Sequence, residues 1–155
     1  MQIVTETVPA LLELKAAGRA RNIGITGLPL KIYSEALARL PPGSLDLCLS
    51  YCHYCLNDRS LLTLLPELQR AGVGVINASA LSMGLLTESG PPPWHPAPEE
   101  LKAAARNAAA YAKENGHNIS ELALMWAVQV CIHACPCCHP PCRLNQPLLP
   151  SVLLR

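Results

Sequence analysis

The sequence predicts an α/β fold organised on a parallel sheet, and three observations carry that prediction. Helical and strand patterns alternate along the first half at a spacing of roughly 25 to 30 residues, the rhythm of right-handed βαβ units. The segments that read as strands are apolar on both faces, as parallel strands covered by helices on each side are. The connections between them are short and end at glycine or proline.

Thr5 or Thr7 is placed to cap a first helix whose apolar side is Val8, Leu11 and Leu12, and Gly18 ends it. ARNIGITG, closed by Gly27, reads as a buried strand. A second helix from Leu30 to Leu40 buries Ile32, Leu37 and Leu40 before Pro41 and Pro42 forbid its continuation. LDLCLSYC is the second strand. Asp58 is placed to cap a third helix, where Leu61, Leu62, Leu64, Leu65 and Leu68 give a broad apolar face ending at Gly72. VGVINAS is the third strand, and MGLLTESGPPPWHPAP after it is too long for an ordinary connection, so it reads as a lid or binding segment. A fourth helix opens at Pro98, Glu99 and Glu100 and runs to Gly116. A fifth takes Asn118 as its cap, has Glu121 three residues later, and sets Leu122, Met125, Trp126 and Val130 on one side. Beyond Val130 neither period continues, and the prolines would break either element.

The chain has 155 residues, a net charge of +1, 50% hydrophobic residues and 15% charged ones, which fits one globular domain. Charges this sparse and balanced offer no basic face for nucleic acid and no polybasic strip for an anionic membrane, so neither is expected as a partner. MQIVTETVPALLELK is not a signal peptide, and no apolar run approaches the roughly 18 residues that span a bilayer, so a cytoplasmic location is expected. Eight cysteines in that compartment read as packing residues or metal ligands before disulfides. Five of them, with five of the 15 prolines, lie between Cys131 and Pro150. Cys135, Cys138, His139 and Cys142 are enough in number for tetrahedral zinc, but they crowd into one short stretch with three prolines, so a zinc-binding tail is a minor alternative and no metal is expected.

NIGITGLPLKIYSEAL, LCLSYCHYCLND and GVGVINASALSMGLLTESGPPPWHPAP resemble the aldo-keto reductase family, in the family's order and spacing, over about residues 2–130. The resemblance implies a partial (β/α)8 TIM barrel, with Ile23 to Thr26 as its fifth strand, Asp46 to Tyr51 as the sixth and Gly74 to Asn77 as the seventh. Residues 1–130 are then a partial reductase domain and 131–155 a Cys/Pro-rich tail that departs from the family. The activity implied is oxidation of a sugar hydroxyl by NAD, or the reverse reduction of a carbonyl by NADH, with the NADP pair as the alternative. The family's proton-transfer residues, an Asp, a Tyr, a Lys and a His on its first four strands, have no counterpart in these 155 residues, nor has the eighth strand. No catalytic residue is therefore assigned, and the chain alone is expected to be inactive.

Carried over position by position, the resemblance implies that Thr26 and Gly27 meet the nicotinamide carboxamide and that Ser50 and Tyr51 lie beneath its ring. Ser79, Leu81, Met83 and Gly84 would wrap the pyrophosphate, where small residues let backbone N–H groups approach an anion. Ala78 departs from the pattern, because many relatives stack an aromatic residue there. His53, in YCHYC, reads as a substrate-pocket or structural residue rather than a catalytic base, and Cys52 and Cys55 beside it do not complete a metal site. Trp94 and His95 either line the sugar pocket or pin the Pro-rich loop to the barrel rim. The rival to an enzyme is a non-catalytic fragment or interaction module, since an open part-barrel exposes two strand edges and an apolar interior and would self-associate.

Overall fold

The computed structural model describes residues 2–134, with side chains described through residue 128. Its element order is α1 (Val8–Ala16), β1 (Gly24–Gly27), α2 (Lys31–Arg39), β2 (Leu47–Tyr51), α3 (Leu61–Arg70), β3 (Gly74–Ala78), α4 (Glu99–Glu114) and α5 (Ile119–Ala134). The strands form one parallel sheet in the order β1-β2-β3. Gly27 pairs with Ser50 and Ser50 with Asn77, so the carboxyl ends of all three strands finish level with one another. Among the described residues no helix is long and apolar enough to cross a membrane.

The helix stops follow the expected chemistry. Gly18 has φ +70°, its N–H bonds the Lys15 carbonyl at 3.0 Å, and the Arg19 N–H bonds that of Leu14 at 3.0 Å. Gly72 and Gly116 close α3 and α4 with the same pair of bonds, as glycine does where a left-handed residue must follow a helix. Asn118 caps α5, its side-chain oxygen accepting the Ser120 N–H at 2.8 Å.

The starts of α1 and α3 differ from expectation. Thr7 has helical dihedrals and makes no capping bond, because a π-helical turn, Ile3–Thr7, already precedes α1 and is closed by the Val8 N–H on the Ile3 carbonyl. Pro9 has no N–H to give, and the wider turn ahead of it accommodates that loss. Asp58 is not the cap of α3 either; Ser60 directly precedes the helix, and Asp58 instead accepts the Ser60 N–H at 2.8 Å in an Asx turn.

The core lies between the helices and one face of the sheet. Ile25 and Cys48 meet Val8, Tyr33, Ala36, Leu61, Leu64, Leu65 and Leu68 there. α2 turns Tyr33 and Ala36 inward, not Ile32 and Leu37, which are half-buried, since its apolar spacing continues from those two to Leu40. Leu62 is 43% exposed, on the solvent side of α3 together with the carbonyl that Pro66 leaves without an N–H partner. Among the described residues the strands are not covered on both faces. Thr26, Leu47, Leu49 and Ile76 form the other face, none of them belongs to a packed core cluster, and Ile76 is 46% exposed.

Asp46 joins α1 to the amino ends of the sheet. Its carboxylate accepts Lys15 Nζ on both oxygens, at 2.7 and 2.6 Å, and the Ile23 N–H at 2.8 Å. The Lys15 ammonium and the Ile23 amide hold this carboxyl below the usual carboxylate range. A lowered folded pKa gives a contribution that is full above the unfolded value of about 4 and is lost as pH falls through the folded pKa. With side chains 30% and 28% exposed the attraction is screened, and Asp46→Asn should cost about 1 kcal/mol at neutral pH. Urea melts of the two proteins should therefore separate at neutral pH, begin to approach each other below about pH 4, and converge only once pH has fallen through the lowered folded pKa. Coincident midpoints at neutral pH would contradict this role.

Candidate functional site

The carboxyl ends of β1, β2 and β3 carry three loops, and each is tied down by a polar side chain. At the first, Tyr33 comes up from α2 and its hydroxyl accepts the Gly27 N–H at 3.0 Å. The hydroxyl proton faces the Gly27 carbonyl at 2.9 Å and the Leu49 carbonyl, so one atom ties the end of β1 to the middle of β2. Burial pushes the Tyr33 phenol above its ordinary value, against the opposing effect of the Gly27 amide, so it stays a neutral donor.

After β2 the chain turns sharply through Cys52, at φ +61°. His53 Nε2 then meets the Leu28 carbonyl in the neighbouring loop, while Nδ1 lies 3.1 Å from the Asp58 carboxylate and 3.1 Å from Ser60 Oγ. Burial raises the Asp58 carboxyl, but the Ser60 hydroxyl and amide and the His53 ring outweigh it and hold the group below the usual range. His53 is thus a latch between two loops. Burial pushes the Cys55 thiol up and that of Cys48 to about 11, so both remain unreactive thiols at neutral pH. Among the described residues no cluster of His, Cys, Asp or Glu could hold a metal. Cys135, Cys138, His139 and Cys142 lie outside the described residues.

The loop after β3 is the most constrained. Ser79, Ser82, Met83 and Gly84 have φ values of +63°, +50°, +54° and +90°. Left-handed backbone costs a residue other than glycine about 1–2 kcal/mol, so three such residues in one loop need compensating bonds. The Ser82 N–H binds the Ser79 carbonyl at 2.8 Å, the Met83 N–H binds Ser79 Oγ at 3.1 Å, and the Gly84 and Leu86 amides both bind the Leu81 carbonyl at 3.1 Å. The amides of Ala80 and Leu81 have no hydrogen-bond partner among the described residues. They are two of the backbone donors that this loop leaves without an internal partner.

The other predicted residues divide between the two faces of the sheet. Thr26 and the 37%-exposed Tyr51 lie on the face without helices, and the Thr26 hydroxyl bonds the Leu49 carbonyl at 3.3 Å. Ser50 is fully buried on the helix side, where its Oγ and the Oδ1 of its neighbour Asn77 lack hydrogen-bond partners among the described residues. Trp94 projects into solvent at 70% exposure, whereas His95 is buried and bonds the Ser82 carbonyl. Tyr33 and Asn77 escaped the sequence reading. Tyr33 sat in a helix judged by its aliphatic residues, and Asn77 in a strand judged by its valine and isoleucine. A cleft of about 270 Å³ beside Leu40, Pro42 and Arg70 lies at the amino ends of β2 and β3, away from these loops.

A parallel βαβ sheet with its strained loops gathered at the carboxyl ends of the strands is the architecture of an α/β fold, a class whose ligand sites form at that end of the sheet. The chain belongs to the aldo/keto reductase family, whose sequence model matches residues 3–151. It is 58% identical over 127 residues to an L-galactose dehydrogenase of Arabidopsis thaliana, an alignment covering 82% of this chain and 40% of that protein. It is 33% identical over 132 residues to a D-arabinose 1-dehydrogenase of Saccharomyces cerevisiae, covering 81% and 39%. Among solved structures it is similar to an aldo-keto reductase of Bacillus halodurans in its holo form, with a TM-score of 0.50 and 27% identity over 66% of this chain and 35% of that one. The chain thus spans about two-fifths of the length of the curated relatives it matches.

Proposed function

We propose that this chain forms the nucleotide-binding side of an NAD-dependent dehydrogenase that oxidises L-galactose at its anomeric carbon to the lactone, a cytoplasmic step toward ascorbate. The observation that carries the reading is the 58% identity over 127 residues to an L-galactose dehydrogenase. The second relative supports it chemically, because D-arabinopyranose is L-galactopyranose without its hydroxymethyl group. On this reading β1, β2 and β3 are the fifth, sixth and seventh strands of a (β/α)8 barrel.

The free Ala80 and Leu81 amides, on a loop of small residues at the carboxyl end of β3, fit an anionic pyrophosphate. Thr26, Gly27, Tyr51, Ser79, Leu81, Met83 and Gly84 would hold the dinucleotide, with the enclosed Ser50 supporting them from behind. NAD, with NADP as the alternative, supplies the hydride acceptor when bound. His53 fixes the first two loops relative to each other, and Trp94 at the rim is placed to meet the sugar. The 155 residues contain no counterpart of the family's proton-transfer set, so they bind NAD without turning it over. Calorimetry should show saturable NAD binding, and mixing with L-galactose should give no NADH absorbance. An absence of binding would sink the cofactor assignment, and turnover above a heat-killed control would overturn the predicted inactivity.

A second reading, self-association, rests on the uncovered sheet face. Leu47, Leu49 and Ile76 carry no charge there, and the outer edges of β1 and β3 have no strand partner among the described residues. A second copy of the chain supplies both apolar cover and strand pairing. Size-exclusion chromatography with light scattering should report dimers or larger species that dissociate on dilution; a monomer at every concentration would exclude this reading.

A further inference from the structure

The nucleotide reading leaves unexplained why this loop should hold three successive left-handed residues, Ser82, Met83 and Gly84, two of them not glycine, and what keeps it there. Such backbone persists only where its surroundings over-determine it. Bonds within the loop fix its amides, but its outer side rests on the Pro-rich segment. His95 is the contact between them. Its imidazole is buried, and Nε2 lies 2.9 Å from the Ser82 carbonyl, which also accepts the Leu85 N–H at 3.1 Å. Nδ1 accepts the Ala97 N–H at 3.1 Å. One partner is a carbonyl and the other an N–H, so the tautomer is fixed: hydrogen on Nε2, lone pair on Nδ1.

The ring is itself rigidly mounted. The His95 N–H closes a turn on the Pro92 carbonyl at 3.0 Å, and Pro91, Pro92, Pro93, Pro96 and Pro98 restrict the backbone on both sides. The same strap runs close to Gly84, where an added Cβ would lie 3.5 Å from Pro92 Cδ and come into van der Waals contact with it. The Cys55 thiol also interacts with the Ser82 side chain.

We infer that His95 is a positioning residue: through the Ser82 carbonyl it holds the Ser82–Gly84 turn left-handed and so keeps the Ala80 and Leu81 amides presented to an anionic ligand. The inference rests on the nucleotide reading for the ligand but not for the strap. It makes the Pro-rich segment a fixed brace of the binding loop, and it assigns His95 no contact with sugar.

Amide hydrogen exchange and NAD titration of the full chain, as wild type, His95→Ala and His95→Gln, test it. The Ala variant should exchange at Met83, Gly84 and Leu85 about tenfold faster, with β2 and α3 protected as before, and should bind NAD about tenfold more weakly. The Gln variant, whose side-chain N–H can replace Nε2, should recover most of both. Unchanged loop exchange, a loss of protection spread equally over β2 and α3, or Gln behaving like Ala would each overturn the proposal. If wild type binds no NAD, the nucleotide reading fails while the exchange comparison still decides the strap. If the variants do not fold, nitrogen NMR of the wild-type ring decides it: hydrogen on Nε2 supports the brace, and hydrogen on Nδ1 contradicts it.

Discussion

A single phenolic oxygen, that of Tyr33, stands where β1 ends and joins that strand end and the middle of β2 to the helix between them. Parallel strands end with backbone groups that the ladder no longer satisfies, and burying them unpaired would cost about 1–3 kcal/mol apiece. The Tyr33 hydroxyl satisfies the Gly27 amide and faces two carbonyls, which fixes where the first loop leaves the sheet. That placement brings Leu28 within reach of His53, and His53 in turn orients Asp58 and Ser60 ahead of α3. The loops at this end therefore hold one another through polar contacts that all trace back to the strand ends.

The two ends of the sheet are built differently. At the amino end the contacts are tight and structural: Asp46 clasps Lys15 and Ile23, and a Cβ on Gly24 would lie 2.5 Å from the Leu47 carbonyl oxygen, so only glycine fits. At the carboxyl end, strained backbone is held in place and two amides are left free. This division matches the rule for barrel folds, in which one end of the strands stabilises and the other binds. It also accounts for a loop of serines and a methionine adopting dihedrals that glycine would adopt more easily. Side-chain groups such as Ser79 Oγ are needed to compensate for the strain, and glycine would not bring them.

Much of the architecture was legible because it is local. Gly18, Gly72 and Gly116 each follow a helical period, and the α3 leucines repeat at helical spacing, so stops and core faces follow from neighbours in sequence. Asp58 was misleading for the opposite reason. A short acid before a helix looks like a cap, yet its partners are settled by His53 folding back from the preceding turn, which no local pattern encodes. The uncovered sheet face was hidden because an apolar strand reads the same whether its second face meets helices or the inside of a barrel. The left-handed run at Ser82 and Met83 was invisible, since neither residue type signals positive φ. His95 was legible only as a pair of alternatives, and its bonds to Ser82 and Ala97 favour the pin over the pocket wall.

On the proposed reading, the loop after β3 presents the Ala80 and Leu81 amides to the pyrophosphate of a nicotinamide dinucleotide. Relatives that are dehydrogenases make the ligand class coherent, and the free donors make the place specific. The most direct measurement is an NMR titration of the backbone amides with NAD. The account predicts that Ala80 and Leu81 shift earliest and furthest, while Lys15, Ile23 and Asp46 at the far end of the sheet stay still. Shifts centred on that far end, or saturation that leaves Ala80 and Leu81 unmoved, would contradict it.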